Sequence, residues 1–423
     1  MSDSLIKVVE LFAGVGGFRL ALEGRPGSKK DTGFKVVWAN QWEPPGAEGR
    51  QFAYRCYVNH FGYEDNDTDA YVNKDIAVAL DLAQEGIWEI PDHDLLCAGF
   101  PCQDYSVAKP LAQADGIEGK KGVLWWEIYR LLTMKEPKFI LLENVDRMLK
   151  SPASQRGRDF AIMLSSLAGL GYSVEWRVIN AADYGFPQRR RRVYIYGEKD
   201  AADWNLQRCI DSTGVIAEAF PIAQSEDGFT ELILDKDPYK ITLDFGMGLK
   251  VSPFETAGAM QGYTVVTKKA MPVSNRRKKT LGSILIDEDK IPEEFFIKRE
   301  ELETWLTLKG SKKIHRVNKK TGFEYVYSEG AVTFPDYLDQ PSRTILTGEG
   351  GKSASRFKHV VQTPSSRYRR LVPEELEQLQ GFPKGWTKHG MSDINRAFCM
   401  GNALVVGIPA RIGRVIGDRR QQG

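Results

Sequence analysis

Short, mostly apolar runs recur through the first two hundred residues, separated by longer segments with helical spacing. Four such runs lie at residues 6–11, 36–39, 95–98 and 137–142. Each has the length and the largely apolar character of a strand that is buried on both faces of a sheet. The alternation of these strands with helical segments predicts an α/β domain, with a central sheet and helices on both faces.

The alternation of predicted strands and helices ends near Gly197. From about residue 203 to 363 the pattern is one of short strands, turns and irregular polar stretches, with one amphipathic helix predicted over 293–308. A short helix over 371–379 and a C-terminal helix beginning near Gly401 follow. We therefore predict a first domain at 1–200, a smaller, mostly β and irregular domain at 201–370, a linker at 371–399 and a returning helix at 400–423.

Composition narrows the class of protein. The 423 residues are 42% hydrophobic and 27% charged, which is typical of a globular protein. No apolar run approaches the roughly 20 residues that span a bilayer, and the first residues lack a signal core. Five scattered cysteines predict no disulfide framework, so we expect a reducing cytoplasm and no membrane association. Cys97 and Cys102 lack metal-binding spacing and only five histidines are present, so no metal is expected.

One cysteine follows a predicted strand at the position where chemistry is common. Gly99 and Pro101 end the strand at 95–98, and Cys102 comes just beyond it. In open α/β sheets, ligands bind outside the carboxyl ends of the strands. A thiol in such a polar loop is a candidate nucleophile, whereas most lone cysteines are structural and half-buried or buried.

The surrounding residues favour the nucleophile. Residues 99–106 read G-F-P-C-Q-D-Y-S, which resembles the G-F-P-C-Q-x-x-S loop of the DNA (cytosine-5)-methyltransferase family, of the prokaryotic restriction-modification type. The resemblance implies a Rossmann-like S-adenosylmethionine-dependent methyltransferase sheet, with a target-recognition domain at 201–370. It also implies that Cys102 attacks C6 of a cytosine flipped out of duplex DNA, so that C5 can take a methyl group.

A glycine-rich turn, F-A-G-V-G-G-F, follows the first strand. It does not fit the G-x-G-x-x-G pattern of nicotinamide sites, but it resembles the family's loop for S-adenosyl-L-methionine. Gln41 stands where the family has Glu, and Ala403 where it has Ser. Trp42 is equally consistent with a core tryptophan, and Asp75 with a helix cap. The resemblance implies the following cofactor-binding residues: Phe12, Ala13, Gly14, Gly16, Gly17, Gln41, Trp42, Asp75, Ile76, Pro101, Leu124, Asn402 and Ala403.

Two further motifs resemble the family's catalytic segments. Glu143, in E-N-V, ends an apolar strand; its alternative role is to cap the next turn. The segment Q-R-R-R-R-V-Y-I-Y matches Q-x-R-x-R at Gln188, Arg190 and Arg192. Since side chains alternate along a strand, Arg190 and Arg192 are expected on one face. The resemblance implies that Glu143, Arg190 and Arg192 act with Cys102.

Positive charge is gathered in the second half of a chain whose net charge is only +2. Basic clusters recur between 268 and 370, a distribution that fits a phosphate-contacting face, although charge runs are commonly just solvated. The resemblance implies DNA contacts from Gln103, Ser106, Lys109 and Arg343. A cytoplasmic, nucleoid-associated monomer is expected, with a cognate restriction endonuclease as a possible partner.

The sequence leaves two alternatives open. One branch of the family acts on tRNA, although the long basic middle segment favours DNA. A catalytically inactive DNA-binding relative is supported only by Gln41 and Ala403, whereas Cys102, Glu143 and the two arginines oppose it.

Overall fold

The computed structural model describes residues 5–28, 32–44, 51–62, 70–100, 124–225, 228–317 and 322–422. Within these ranges ten strands form one sheet, in the order β3-β2-β1-β4-β5-β7-β6-β9-β10-β8. Its strands are β1 (Ile6–Leu11), β2 (Phe34–Asn40), β3 (Tyr71–Val72), β4 (Leu95–Gly99), β5 (Phe139–Val145), β6 (Tyr172–Asn180), β7 (Arg191–Lys199), β8 (Thr230–Ile233), β9 (Ala257–Gln261) and β10 (Thr264–Lys268).

Two hairpins lie outside this sheet: β11 (Lys312–Val317) with β12 (Glu324–Glu329), and β13 (Val360–Gln362) with β14 (Tyr368–Arg370). The helices are α1 (Gly17–Leu22), α2 (Phe52–Phe61), α3 (Ile76–Gln84), α4 (Leu124–Lys135), α5 (Arg158–Gly169), α6 (Leu206–Arg208), α7 (Val215–Ala219), α8 (Pro238–Asp244), α9 (Leu302–Lys309), α10 (Pro373–Gln380), α11 (Asp393–Asn402) and α12 (Gly407–Gln422). No single helix in the described ranges is long and apolar enough to cross a membrane.

The predicted strands occupy the centre of the sheet. Strands β3, β2, β1, β4 and β5 are parallel to their neighbours, and β7 pairs antiparallel with β5. Residues 95–98 of β4 are completely buried, as expected for a strand covered by helices on both faces. The predicted α/β fold class is confirmed, and the carboxyl ends of β1, β4 and β5 meet at one edge.

The chain forms two compact units. The first comprises 1–184, 191–276 and 404–423, and the second comprises 185–190 and 277–403. The prediction that residues 201–276 belong to the second domain is wrong: they lie in the first unit, because β9 pairs with β6 and continues the sheet. The alternation of helix and strand stops there because antiparallel neighbours such as β9 and β10 need only a short turn between them.

The second unit departs from one helix prediction. A single helix over 293–308 is wrong, because α9 covers only Leu302–Lys309. Two short 3₁₀ turns precede it, and between them Phe296 forms a β-bridge with Arg369 while the Ile297 N–H donates to the Tyr368 carbonyl over 2.8 Å. Tertiary pairing with β14 therefore overrides the helical spacing. Helix α10 forms at Pro373–Gln380, where the short helix was predicted.

The junction that extends the sheet offers a stability test. Gly258 of β9 lies opposite Trp176 of β6, and a β-carbon on Gly258 would come within 2.0 Å of the indole ring. We expect Gly258→Ala to lower the free energy of unfolding by about 1–3 kcal/mol, because the tryptophan must leave its packed position. Urea denaturation followed by circular dichroism measures the change.

The matched control is Gly348→Ala, since a β-carbon there meets nothing within 4 Å. Equal unfolding midpoints for the two variants would contradict the close packing of β9 against β6.

Candidate active site

The glycine-rich turn forms at the carboxyl end of β1. Phe12, Gly14 and Gly16 have φ values of 55°, 56° and 83°, in the left-handed region that glycine tolerates best. The Ala13 N–H donates to the Asn40 carbonyl over 3.0 Å, which ties the turn to β2. A β-carbon on Gly14 would meet only the Phe12 carbonyl oxygen, at 3.9 Å. Space is therefore open beside Gly14, and a ligand can approach the backbone there.

Gln41 braces this turn. Its side-chain Oε1 accepts a hydrogen bond from the Gly14 N–H over 2.7 Å, and its backbone carbonyl accepts from Asn73 Nδ2 over 2.6 Å. The departure from the family's Glu therefore keeps an acceptor for the turn. Trp42 is half-buried rather than a core tryptophan, and Asp75 caps α3 by accepting from the Ala77 N–H over 3.0 Å.

Other predicted cofactor residues occupy the neighbouring elements. Gly17 is the first residue of α1, which gives the turn its helical continuation. Ile76 is buried at the start of α3, and Leu124 begins α4, partly buried against the main core. These positions are consistent with the predicted cofactor set, whose roles stay predictions.

A carboxylate lies at the same sheet edge. Glu143 of β5 is in register with Gly99 of β4, and a β-carbon on Gly99 would lie 3.5 Å from Glu143 Oε2. Its other oxygen, Oε1, forms an ion pair with Arg192 Nε over 3.0 Å. Arg192 reaches it diagonally from β7, two positions from the residue that pairs with Glu143. Both side chains are largely buried, at 11% and 19% exposed, so the pair has a fixed orientation.

Asn144, to which sequence reasoning gave no role, fixes the end of β4. Its side-chain Nδ2 donates to the Phe100 carbonyl over 2.9 Å, and its Oδ1 accepts from the Val145 N–H over 2.8 Å. The signal in the sequence was an amide side chain at the end of a largely apolar strand, because a polar group that is buried there needs hydrogen-bond partners. Phe100 is the last described residue before 101–123, so five predicted site residues lie outside the described part of the chain: Pro101, Cys102, Gln103, Ser106 and Lys109.

Arg190 has a different environment from Arg192. Strand β7 begins at Arg191, so strand alternation does not extend to Arg190. Arg190 is 1% exposed and belongs to the second unit, where Nη1 donates to the Ile345 carbonyl over 3.3 Å and Nη2 to the Gly401 carbonyl over 3.0 Å. A guanidinium at the last turn of α11 stabilises its unsatisfied carbonyls. Arg190 thus holds the segment that carries Asn402 and Ala403.

Arg189 and Arg191, which alternate with Arg190 and Arg192 along the sequence, are exposed. Arg191 forms an ion pair with Asp146 over 3.0 Å. In the second unit, Arg343 forms a bidentate pair with Asp336, at 2.6 and 3.1 Å, and also donates to the Phe357 and Lys358 carbonyls. These bonds indicate that Arg343 braces the unit; its predicted DNA contact stays a prediction.

A buried acid lies beneath the glycine turn. Glu10 of β1 is fully buried; its Oε2 accepts from Tyr57 Oη over 3.2 Å, and Tyr57 Oη accepts from Arg19 Nη1 over 3.4 Å. Burial raises the pKa of Glu10 to about 8, despite the opposing charge of Arg19. Arg19 also pairs with Glu23 over 2.9 Å. The cluster joins β1, α1 and α2 directly behind the turn.

The four described cysteines, Cys56, Cys97, Cys209 and Cys399, are all buried. Burial raises the pKa of the Cys97 thiol well above its ordinary value, which makes Cys97 a poor nucleophile. No group of three or more potential metal ligands occurs among the described residues.

Sheet, turn and carboxylate together define an α/β protein whose candidate active site lies at one sheet edge. A family model described as C-5 cytosine-specific DNA methylase matches residues 6–418, and the chain belongs to this family. The expected membership of the DNA (cytosine-5)-methyltransferase family is thereby confirmed.

Two curated relatives and one solved structure illustrate the similarity. Type II methyltransferase M.Sau3AI of Staphylococcus aureus is 44% identical over 420 residues, covering 97% of this chain and 95% of the relative. Type II methyltransferase M.HhaI of Haemophilus parahaemolyticus is 33% identical over 202 residues, covering 48% of this chain and 51% of the relative. The crystal structure of S. pombe Dnmt2 methyltransferase superimposes with a TM-score of 0.55 over 99% of this chain and 98% of that one. Its sequence identity is 14%, so this likeness concerns the fold alone.

Glu10 predicts a pH dependence of stability. Its pKa of about 8 in the folded chain lies above the unfolded value near 4.5, so between these values the folded state holds a proton that the unfolded state lacks. Stability should therefore fall as pH rises from 4.5 to 8, by up to about 1.4 kcal/mol per pH unit. We expect Glu10→Gln to flatten this slope, as measured by urea denaturation at pH 5.5, 6.5 and 7.5.

Glu89→Gln, which changes an exposed glutamate of the same unit, serves as the control and should keep the wild-type slope. A Glu10→Gln slope equal to that of the wild type would show that the buried carboxyl does not titrate in this range.

Proposed function

We propose that the protein transfers a methyl group from S-adenosyl-L-methionine to C5 of a cytosine flipped out of duplex DNA, through a covalent bond between Cys102 and C6. The observation that carries the proposal is the position of Glu143. Its carboxylate lies beside Gly99, three residues before Cys102, and is held by Arg192. A thiol and a carboxylic acid are thereby expected to approach the same base.

The turn after β1 fits the methyl donor. Gly14 leaves open space beside the backbone, and Gln41 and Trp42 are only half-buried at the adjoining strand end. These residues, with Phe12, Ala13, Gly16 and Gly17, would hold the donor, and Asp75 and Ile76 would contact its adenine end. When bound, S-adenosyl-L-methionine supplies an electrophilic methyl group.

The side chains would act on the cytosine in sequence. The Cys102 thiolate adds to C6, and the electron pair of the C5–C6 bond becomes available at C5 as an enamine. Glu143 donates a proton or hydrogen bond to N3, which stabilises the negative charge that develops on the ring. Methyl transfer to C5 would leave S-adenosyl-L-homocysteine as a neutral thioether. Loss of the C5 proton to a base would then re-form the C5–C6 double bond and expel Cys102 as a thiolate.

Arg192 is the positioning residue in this scheme. Its ion pair with Glu143 Oε1 restricts the rotation of the carboxyl group. The other carboxyl oxygen, Oε2, is thereby directed toward Gly99 of β4. Arg190, by contrast, would act through the second unit, by holding the Gly401 carbonyl next to Asn402. Both arginines would thus serve the reaction, from different elements.

Duplex DNA is the proposed substrate, because the family description names DNA and basic clusters recur between 268 and 370. C5 and C6 are inaccessible in the base stack, so the target cytosine must be flipped out. Residues 277–370 of the second unit are proposed to recognise the target, with DNA contacts from Gln103, Ser106, Lys109 and Arg343. We also propose that the protein is a cytoplasmic, nucleoid-associated monomer and that a cognate restriction endonuclease acts on the same DNA site.

Labelled methyl transfer tests the reaction directly. We expect transfer to duplex DNA and none to tRNA, and we expect Cys102→Ser to abolish transfer because the alcohol is a far weaker nucleophile at neutral pH. Cys97→Ser is the matched control, since Cys97 is buried within β4. Transfer to tRNA alone, or full activity of Cys102→Ser, would contradict the proposal.

The Glu143–Arg192 pair predicts a non-additive double mutant. We expect Glu143→Gln to lower kcat by about 10²- to 10⁴-fold, because the amide cannot supply a proton. If Arg192 acts by positioning Glu143, Arg192→Ala should reduce kcat in the wild type but have little further effect in the Glu143→Gln background. Single-turnover rates of the four proteins measure the coupling, and strictly multiplicative losses would assign Arg192 an independent role.

A further inference from the structure

The β11–β12 hairpin is a two-stranded ribbon whose described side chains are all at least partly exposed. Within the described part of the chain its strands pair only with each other, from Lys312 opposite Glu329 to Val317 opposite Glu324. Four large apolar side chains of this segment are between 43% and 67% exposed: Ile314, Val317, Phe323 and Val326. An isolated two-stranded hairpin has little intrinsic stability, so such an exposed ribbon indicates an element that is used for contact.

The two faces of the ribbon differ. One face, the Arg316 face, carries Arg316, Tyr327 and Glu329, and these side chains contact one another. The Arg316 guanidinium lies 3.8 Å from the centre of the Tyr327 ring, and Tyr327 Oη donates a hydrogen bond to Glu329. Glu329 in turn pairs with Arg356 Nε over 3.2 Å. Arg356 also donates to the Gly310 and Leu308 carbonyls, at 2.7 and 3.1 Å, which anchors the base of the ribbon.

The opposite face, the Lys313 face, has no such network. Side chains alternate along a strand and directly paired residues share a face, so it carries Lys313, His315 and Val317 of β11 and Glu324, Val326 and Ser328 of β12. Among the described residues, the side chains of Lys313, His315 and Ser328 have no hydrogen-bond or ion-pair partner. This face therefore combines unused donors with exposed methyl groups.

The dimensions and chemistry of this face fit the major groove of DNA. The groove is about 12 Å wide and admits a two-stranded ribbon. Lysine donates to the acceptors of guanine, serine bonds to several base edges, and apolar side chains contact the methyl group of thymine. Positive charge on β11, from Lys312, Lys313 and Arg316, complements the phosphates on either side of the groove.

A second copy of the chain fits less well. Lysines along exposed strands oppose pairing with other strands, and β11 carries Lys312, Lys313 and Arg316 but no acidic residue. This basic strand favours a polyanion over a protein partner of the same sequence.

We propose that the Lys313 face of the β11–β12 hairpin enters the major groove and reads base edges of the target site, while the Arg316 face keeps the ribbon rigid. The inference rests on the proposed function, since it takes duplex DNA as the substrate. It assigns sequence discrimination to Lys313, His315 and Ser328.

The experiment uses the full chain and the target site located by bisulfite sequencing of DNA modified by the wild type. Fluorescence anisotropy then gives Kd for the target duplex and for duplexes with each base pair replaced in turn. We expect Lys313→Ala to reduce discrimination at one base pair by about 10- to 100-fold. Lys312→Ala, which removes the same charge from the other face, should leave every discrimination ratio unchanged.

Two results would overturn the inference. One is wild-type discrimination at every base pair in Lys313→Ala, His315→Ala and Ser328→Ala, with unchanged melting temperatures. The other is a dimer in sedimentation that Lys313→Ala dissociates, which would assign the face to a second copy. If the wild type modifies no duplex at all, the proposed function fails instead, and so the two failures are distinguishable.

Discussion

The pairing of β5 with its two neighbours is the constraint on which the site depends. Register with β4 places Glu143 beside Gly99, and register with β7 brings Arg192 within 3.0 Å of the same carboxylate. Because the strands are buried on both faces, a shift of one residue would move every side chain to the opposite face. The apolar core of β4 and β5 therefore fixes the geometry of the polar edge.

In the second unit, networks of hydrogen bonds between polar side chains fix the positions of the segments. Gln188 Oε1 accepts from the Ile345 N–H over 3.0 Å, and Arg343 pairs with Asp336. Ser342, His359 and Glu349 form a chain with links of 3.0 and 2.7 Å, which has the connectivity of a hydrolytic triad. His359 is completely buried, so no substrate reaches it. The chain instead satisfies polar groups that connect irregular segments.

The departures from the family pattern are accommodated locally. Gln41 supplies an acceptor to the Gly14 N–H, a bond that needs no negative charge. At the end of α11, Gln380 Nε2 donates to the Met400 and Ala403 carbonyls, at 2.7 and 3.1 Å, so the backbone around Ala403 is held without a hydroxyl. Neither substitution removes the support of its segment.

The amino-acid sequence by itself determined the central strands and the glycine turn, because mostly apolar runs and glycine positions are local signals. Resemblance to a family added the predicted roles of Cys102 and Glu143 and the predicted cofactor. Only the tertiary structure decided that β9 continues the sheet, that residues 296–297 pair with β14 rather than form a helix, and that Arg190 and Arg192 have different partners. These outcomes depend on contacts between residues that are far apart in the chain, and local sequence patterns do not predict such contacts.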